Sequence, residues 1–298
     1  MKTEHTNSLS KTIAGTLALT VIIALCGCSS AGSNTVSEET SSTVTTTQET
    51  TTESSREPYL KEMKYIFYDN NENIDATYIF EYDEYGNEIK STEIRSDNSK
   101  TEHETKYEYN EKKQIVKALY PNGYNTRQSE YQYNEHGDVK EINTYALDII
   151  NNERNLITKV EYIYDENYRL IRKNTAYYIA ETSEYTVYEY DDKGNVLSEN
   201  TYNVNTDGGE DELITFVKNE YNSEGYKIKT TFSYGSDESL YEFVYEYNSK
   251  GQAIKESDTI HKNYSELEYD DKGNVVKILY YDKDGNLQNK TLYEYTYA

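Results

Sequence analysis

One turn sequence recurs along the chain at intervals that indicate a repeat fold. YEYDDKGNV, at Tyr188–Val196, returns as LEYDDKGNVV at Leu267–Val276. A Tyr followed by Asp or Asn anchors each copy, and successive anchors are 22 to 31 residues apart. A period in this range is typical of repeat architectures, in which each unit is one supersecondary element. The anchors are Tyr82, Tyr109, Tyr133, Tyr164, Tyr190, Tyr221, Tyr247 and Tyr269.

Each repeat has the sequence of a β-hairpin. Aromatic residues alternate before the anchor, as in Phe243, Tyr245 and Tyr247, which puts them on one face of a strand. Asp or Asn then opens a type I turn, and Gly supplies its left-handed residue. Lys113 and Tyr168 replace this Gly in two units, so these two turns are expected to differ in shape. The predicted turn residues are Asp83, Gly86, Asn134, Gly137, Asp191, Gly194, Asn222, Gly225, Asn248, Gly251, Asp270 and Gly273.

The repeats predict an all-β fold in which antiparallel β-hairpins form one long meander. We expect roughly 16 to 18 strands, and a sheet of that size curls or spirals because of its native twist. Since the turns after the anchors have constant length, the differences in spacing must lie in the opposite connections, where the interaction edge of a repeat array often lies. These variable loops contain Tyr120–Gly123, Asn205–Glu212, Gly235–Asp237 and Asp282–Asn286.

The N-terminal segment predicts export and a lipid anchor. Residues 1–27 have a basic start and an apolar run too short to span a bilayer, which is typical of a secretory signal. The run ends in Leu25-Cys26-Gly27-Cys28, which is similar to the lipobox of bacterial lipoproteins, and that similarity implies that Cys28 becomes the lipidated N-terminus. The alternative is an ordinary cleaved signal. Residues 28–58 are rich in Ser, Thr and Glu and are expected to form a disordered tether.

Composition separates the predicted folded domain, residues 59–298, from this leader. All 35 tyrosines fall in the domain, whereas both cysteines fall in the leader, so the domain has no disulfide. The chain has 30 basic and 54 acidic residues and a formal net charge of −24. This charge argues against nucleic-acid binding, which needs basic surface to displace counterions.

The repeat resembles the YD repeats of the RHS family of bacterial surface and toxin proteins. YIFEYDEYGNEI (Tyr78–Ile89), TVYEYDDKGNVL (Thr186–Leu197), FVYEYNSKGQAI (Phe243–Ile254) and LEYDDKGNVV carry the resemblance, which covers roughly residues 65–298. It implies a long β-sheet ribbon, which in that family encloses a cargo toxin. This chain is shorter and shows no toxin-like region after its last repeat, so we expect the ribbon without a cargo.

Nothing in the sequence predicts catalysis or a cofactor. His103, His136 and His261 are expected to be solvated residues in or beside turns, and the carboxylates recur at equivalent repeat positions, unlike a catalytic pair. Asp282–Asn286 could offer oxygen ligands to calcium, although a turn rich in Asp and Gly is the simpler interpretation. A glycosidase-like enzyme would need two unmatched carboxylates facing each other in a cleft, and the sequence identifies none.

The tyrosine rows have two interpretations. Cross-strand aromatic ladders stabilise a sheet, whereas exposed tyrosines stack on sugar rings or contact a protein partner. We therefore expect a non-catalytic lipoprotein, exposed outside the cytoplasm on the cell membrane or outer membrane, that binds or scaffolds an envelope or extracellular protein. The alternative is a glycan or cell-wall binder. The candidate binding aromatics are Tyr188, Tyr190, Tyr245, Tyr247, Tyr293 and Tyr295.

Overall fold

The computed structural model describes residues 58–121, 126–148, 150–234 and 240–298. Within these ranges every regular element is a β-strand, and no helix is long and apolar enough to cross a membrane. The predicted signal, the lipidation of Cys28 and all of the tether except Pro58 lie outside the described residues, as do parts of two predicted variable loops, at residues 122–123 and 235–237.

Nineteen strands are present in the described ranges. Those of the first half are β1 (Leu60–Tyr68), β2 (Ile74–Tyr82), β3 (Glu88–Arg95), β4 (Lys100–Glu104), β5 (Lys106–Tyr109), β6 (Ile115–Tyr120), β7 (Arg127–Tyr133), β8 (Val139–Asp148), β9 (Glu153–Tyr164) and β10 (Leu170–Tyr177). Those of the second half are β11 (Thr182–Tyr190), β12 (Val196–Asn203), β13 (Glu212–Tyr221), β14 (Lys227–Tyr234), β15 (Leu240–Tyr247), β16 (Ala253–Asp258), β17 (Tyr264–Tyr269), β18 (Val275–Tyr281) and β19 (Leu287–Tyr297).

The strands form one antiparallel meander whose two ends meet. From β1 to β4 and from β5 to β19, each strand pairs with the next along the chain. Only Thr105 separates β4 from β5, so these two are one interrupted strand. β1 also pairs with β19, from Leu60 opposite Tyr297 to Tyr68 opposite Lys290. The predicted all-β hairpin meander is thus confirmed, and its curl takes the form of a nearly closed, barrel-like sheet.

The register gives this sheet two chemically different faces. Tyr245, Leu267 and Ile278 are buried on one face, which we call the inner face because most of the buried side chains lie on it. The opposite, outer face carries Lys–Glu pairs such as Lys277 with Glu268, at 2.8 Å. Along β17, Leu267 and Tyr269 alternate with Glu266 and Glu268, and a period of two assigns the two sets to opposite faces.

The turns after the anchors share one geometry. In the first, Gly86 N donates to Asp83 O and Asp83 N donates to Asn87 O, while the Asp83 carboxylate accepts the N–H groups of Tyr85 and Asn87, both at 2.9 Å. Gly86 has φ +83°, and the return strand bulges just after the turn. A short Asp or Asn side chain is needed at the first turn position because it accepts these two backbone N–H groups.

The two turns without Gly keep the same geometry, so the expectation that they differ in shape was wrong. Lys113 and Tyr168 have φ values of 63° and 60°, and each donates its N–H to the carbonyl of the first turn residue, as Gly does elsewhere. The bulge and the flanking strand pairs over-determine the turn, which forces a non-Gly residue into the left-handed region.

Candidate functional site

The anchor tyrosines join each hairpin to the preceding one. From Tyr133 onward, the anchor hydroxyl donates to the carbonyl of the residue that opens the preceding return strand, which satisfies a hydroxyl that is partly buried. The bonds are Tyr133–Ile115 at 2.7 Å, Tyr164–Val139 at 2.8 Å, Tyr190–Leu170 at 2.7 Å, Tyr221–Val196 at 2.9 Å, Tyr247–Lys227 at 2.7 Å, Tyr269–Ala253 at 2.6 Å and Tyr295–Val275 at 2.7 Å. Each of these anchor tyrosines therefore links its repeat to the preceding one through an inter-repeat hydrogen bond.

The second unit departs from this pattern. The Tyr109 hydroxyl donates to the Asp83 carboxylate and accepts from Asn87 Nδ2 at 2.9 Å. Burial together with the Asp83 carboxylate raises the pKa of Tyr109. Tyr107 takes over the usual bond and donates to the Glu88 carbonyl at 2.9 Å. In this unit the inter-repeat hydrogen bond is made by the tyrosine two residues before the anchor, close to Thr105, where the strand is interrupted.

The six candidate binding aromatics lie on the inner face. Tyr190, Tyr247 and Tyr295 use their hydroxyls in the inter-repeat bonds. Tyr245 is buried, and its hydroxyl donates to Thr230 Oγ1 at 3.2 Å. The remaining two, Tyr188 and Tyr293, are partly buried. A ligand could reach these rings only from inside the sheet.

The inner face also carries buried and half-buried ionisable groups. Glu256 is 5% exposed, and its carboxylate forms no hydrogen bond or ion pair with any described residue. Burial raises the pKa of Glu256 to about 7, with Lys227 opposing and Asp258 adding to the shift. Burial likewise lowers the pKa of Lys227 and raises that of Glu199, and each charge partly offsets the effect on the other. This group could not be recognised from the sequence because Glu and Lys are common throughout the chain.

The outer face carries a second set of aromatic contacts that the sequence did not reveal. Tyr264 stacks on Tyr281 with ring centroids 4.7 Å apart, and Lys255 Nζ lies 4.5 Å from the Tyr264 ring centroid. Tyr185 stacks on Tyr202, at 5.1 Å. Tyr185 and Tyr264 each lie five residues before an anchor tyrosine, and this odd spacing puts them on the opposite face of the strand from the anchor. The spacing could have identified them from the sequence. Cation and ring neighbours already cover part of each ring.

The variable-loop edge, opposite the anchor turns, presents apolar side chains to solvent. Ile150, between β8 and β9, is 74% exposed, and Ile179, between β10 and β11, is 80% exposed. Exposed apolar clusters mark interaction sites in soluble proteins. The exposed large apolar residues at this edge are Ile74, Tyr120, Ile150, Tyr177, Tyr178, Ile179, Val204, Leu213, Tyr234, Leu240, Ile260 and Leu287.

The suggested calcium loop is built like the anchor turns. Asp282 accepts the N–H groups of Asp284 at 2.9 Å and Asn286 at 2.8 Å, and Gly285 N donates to Asp282 O. Among the described residues no three His, Cys, Asp or Glu side chains are grouped as metal ligands would be. The Asp282 carboxylate is thus committed to its own turn.

A cavity of about 980 Å³ opens on the inner side of the sheet, beside β4. His103, Tyr120, Arg127, Ala146 and Ile179 are among its lining residues. His103 lies within strand β4, so its predicted place in or beside a turn was wrong. A smaller hollow of about 330 Å³, lined by residues of β5 to β8, lies next to it, and Leu147 borders both.

Comparison with known proteins leaves the family open. No protein-family model matches the chain, and no curated protein matches its sequence. Among solved structures, it is similar to the Tc holotoxin pore of Photorhabdus luminescens, with 12% identity and a TM-score of 0.34, over 71% of this chain and 14% of that one. It is also similar to porin-like proteins of Bacteroides uniformis (9% identity, TM-score 0.42) and Bacteroides vulgatus (14%, 0.32). The match covers 80% of this chain in both cases, and 98% and 99% of theirs.

Proposed function

We propose that this chain is a non-catalytic lipoprotein of the bacterial cell envelope, held at the membrane through Cys28, whose sheet of YD/RHS-like repeats presents a surface for binding or scaffolding another protein. The YD motif and the lipobox-like Leu25-Cys26-Gly27-Cys28 support its family and location. Its net charge of −24 favours a partner with basic surface.

This proposal rests on the different roles of the inner tyrosines, which link the repeats, and of the loop edge, which is exposed to solvent. The anchor tyrosines on the inner face, such as Tyr190 and Tyr247, donate their hydroxyls in hydrogen bonds between repeats. Their recurrence therefore has a structural cause. Ile150 and Ile179, by contrast, support no strand and are exposed at the variable-loop edge. Apolar groups held in water on connecting loops are typical of a protein-contact surface.

A glycan or cell-wall ligand is the second candidate, because two exposed aromatic rings stand at the same edge. Tyr178 is 49% exposed and Tyr234 is 45% exposed. Flat aromatic rings of this kind stack on sugars. Since the chain has no Trp, its intrinsic fluorescence comes from tyrosine, and titration with solubilised wall polysaccharides detects such stacking directly.

Site-specific photo-crosslinking tests the protein-binding proposal. A photoreactive amino acid replaces Ile179 in the full chain, expressed in its source cells, and a matched variant carries it at Glu246 on the outer face. We expect a discrete crosslinked partner from position 179 and none from position 246. Equal crosslinking at both positions would rule out the loop edge as the specific contact surface. No crosslinking together with saturable quenching by a glycan would replace protein binding with the second candidate.

A further inference from the structure

Tyr264 and Tyr281 form a stacked pair on the outer face of the sheet. They stand directly opposite each other where β17 pairs with β18. Their ring centroids are 4.7 Å apart, with an angle of 14° between the ring planes. Both side chains are partly exposed. The two rings therefore face each other at contact distance, at a place that reagents in solvent can reach.

The composition of the folded domain makes tyrosine its main site of one-electron oxidation. The chain has 35 tyrosines and no Trp, and both of its cysteines precede the domain. Trp and Cys are the side chains that otherwise compete with Tyr for an oxidising equivalent. Met63 is the only methionine after residue 58, and its register opposite Tyr295 places it on the inner face. On the outer face, an oxidant therefore meets tyrosine first.

Two phenols couple when each has lost one electron and one proton. The unpaired electron of the resulting phenoxyl radical lies partly on the ring carbons ortho to the oxygen, in orbitals perpendicular to the ring plane. In a stacked pair these orbitals point toward each other, so a bond forms between two ortho carbons. Each ring then moves the hydrogen of that carbon to its oxygen, and the product is dityrosine. Because the rings are held in contact, no collision is needed.

The surroundings of the pair suit this reaction. Burial and then the neighbouring Glu266 carboxylate raise the pKa of Tyr281, and that carboxylate is placed to accept the phenol proton as the electron leaves. Lys255 Nζ lies 4.5 Å from the Tyr264 ring centroid, and its strand, β16, is on the other side of β17 from β18. The positive charge opposes oxidation of Tyr264, so we expect Tyr281 to lose the first electron.

Two other tyrosine pairs stack directly across neighbouring strands in the part of the chain that the structure describes. Tyr65 and Tyr78 are 4.6 Å apart but lie on the inner face, which a protein-sized oxidant can reach only from inside the sheet. Tyr185 and Tyr202 lie on the outer face at 5.1 Å, and the Arg172 guanidinium is 3.8 Å from the Tyr185 ring centroid, where its charge opposes the loss of an electron. We therefore expect coupling first between β17 and β18.

We propose that Tyr264 and Tyr281 are a site of oxidative crosslinking, at which a haem peroxidase and hydrogen peroxide join β17 to β18 through dityrosine. Each tyrosine gives up one electron and one proton, and the two electrons and two protons reduce one peroxide to two water molecules. The protein loses two hydrogen atoms in all. The bond gives a domain without disulfides a covalent link between strands, and it is independent of the proposed protein-binding function.

Peroxidase treatment of the purified full chain, followed by proteolysis and mass spectrometry, tests the site. Cleavage after lysine releases Asn263–Lys272, which contains Tyr264, and Ile278–Lys283, which contains Tyr281. We expect a crosslinked peptide that joins these two and is lighter than their sum by two hydrogen atoms. Its fragments should place the link at Tyr264 and Tyr281. It should be about tenfold more abundant than any link between tyrosines that are not in contact.

Matched variants separate this pair from its neighbours. Tyr281→Phe should abolish the crosslinked peptide, since Phe has no phenol to oxidise. Tyr280→Phe should leave the peptide unchanged, because the register of Tyr280 opposite Ser265 places it on the inner face. A link through Tyr280 in the unaltered chain, or links formed mainly between two copies of the chain, would overturn the proposal.

Photo-oxidation by a ruthenium complex with persulfate extends the test to the unfolded chain. In buffer we expect the same link between Tyr264 and Tyr281, and in urea a spread of links among many tyrosines. The same distribution in buffer and in urea would show that local sequence, rather than the stacked geometry, selects the pair. That result, or no link between Tyr264 and Tyr281 in buffer, would overturn the site.

Discussion

Replacing Glu256 by Gln should stabilise the protein at alkaline pH and have little effect in acid. Glu256 is 5% exposed on the inner face and has no direct partner among the described residues. Its neutral form therefore suits the folded state better than its charged form. Gln has nearly the same shape and cannot ionise, so the substitution removes the charge and little else.

The magnitude follows from the pKa of Glu256, which burial raises from 4.5 to about 7 in the folded state. Below pH 4.5 the carboxyl is protonated in both states, and the group costs nothing. Between the two values the unfolded chain ionises while the folded one does not, so stability falls as pH rises. The full loss, reached above pH 7, is about 3 kcal/mol at 1.36 kcal/mol per pKa unit.

Chemical denaturation followed by circular dichroism, at pH 4 and at pH 8, measures this effect. We expect Glu256→Gln to match the wild type within about 1 kcal/mol at pH 4 and to exceed it by about 3 kcal/mol at pH 8. For a domain of this size, the difference at pH 8 corresponds to a rise of roughly 6–12 °C in Tm.

Glu246→Gln is the matched control. Glu246 lies on the neighbouring strand but on the outer face, with a side chain that is 64% exposed and 3.9 Å from Lys255. Its substitution should change stability by no more than about 0.5 kcal/mol at either pH. A gain for Glu256→Gln that is equal at pH 4 and pH 8, or a loss at pH 8, would refute the reasoning, because only an ionising buried carboxyl gives a gain that grows with pH.

Three further predictions concern the inter-repeat hydrogen bond, the turns after the anchor tyrosines and the lipid attachment at Cys28. Tyr247→Phe should lower the free energy of unfolding by about 1 kcal/mol, because it removes the 2.7 Å hydrogen bond to the Lys227 carbonyl. An unchanged midpoint in denaturant unfolding would argue against a stabilising role for the inter-repeat hydrogen bond. Gly194→Ala should destabilise the protein by about 1 kcal/mol and Lys113→Gly should stabilise it by up to about 1 kcal/mol, because both positions have positive φ. A Cβ at Gly194 would meet no atom within 4 Å, so the backbone conformation alone accounts for the expected loss there. Calorimetry that ranks the two variants the other way would contradict the turn assignment. Cys28→Ser should move the chain from the detergent phase to the aqueous phase in phase partition, and retention in the detergent phase would refute lipidation at Cys28.

The hairpins could be predicted because their information is local. Asp191 and Gly194 fix a turn by themselves, and the alternation in Phe243, Tyr245 and Tyr247 fixes a strand. Even the substitutions at the fourth turn position could be located, although their effect was misjudged. The strength of the flanking bulge and strand pairs, which hold Tyr168 at φ 60°, cannot be seen in its own unit.

Closure of the sheet could not be predicted because it depends on distant partners. Pairing of Tyr65 with Tyr293 joins strands more than 200 residues apart in the sequence, which no repeat period encodes.

The pairing of β1 with β19 has a consequence for chain connectivity. Ala298 N donates to Tyr59 O at 3.0 Å, so the first and last residues of the sheet are adjacent. A short linker could join them, and the chain could then be cut at any anchor turn, for example after Lys193, which stands at an exposed tip. In such circular permutants the order of the hairpins along the chain changes while every neighbour in the ring is kept. The described sheet is in this sense a cycle of hairpins, in which no hairpin is structurally the first.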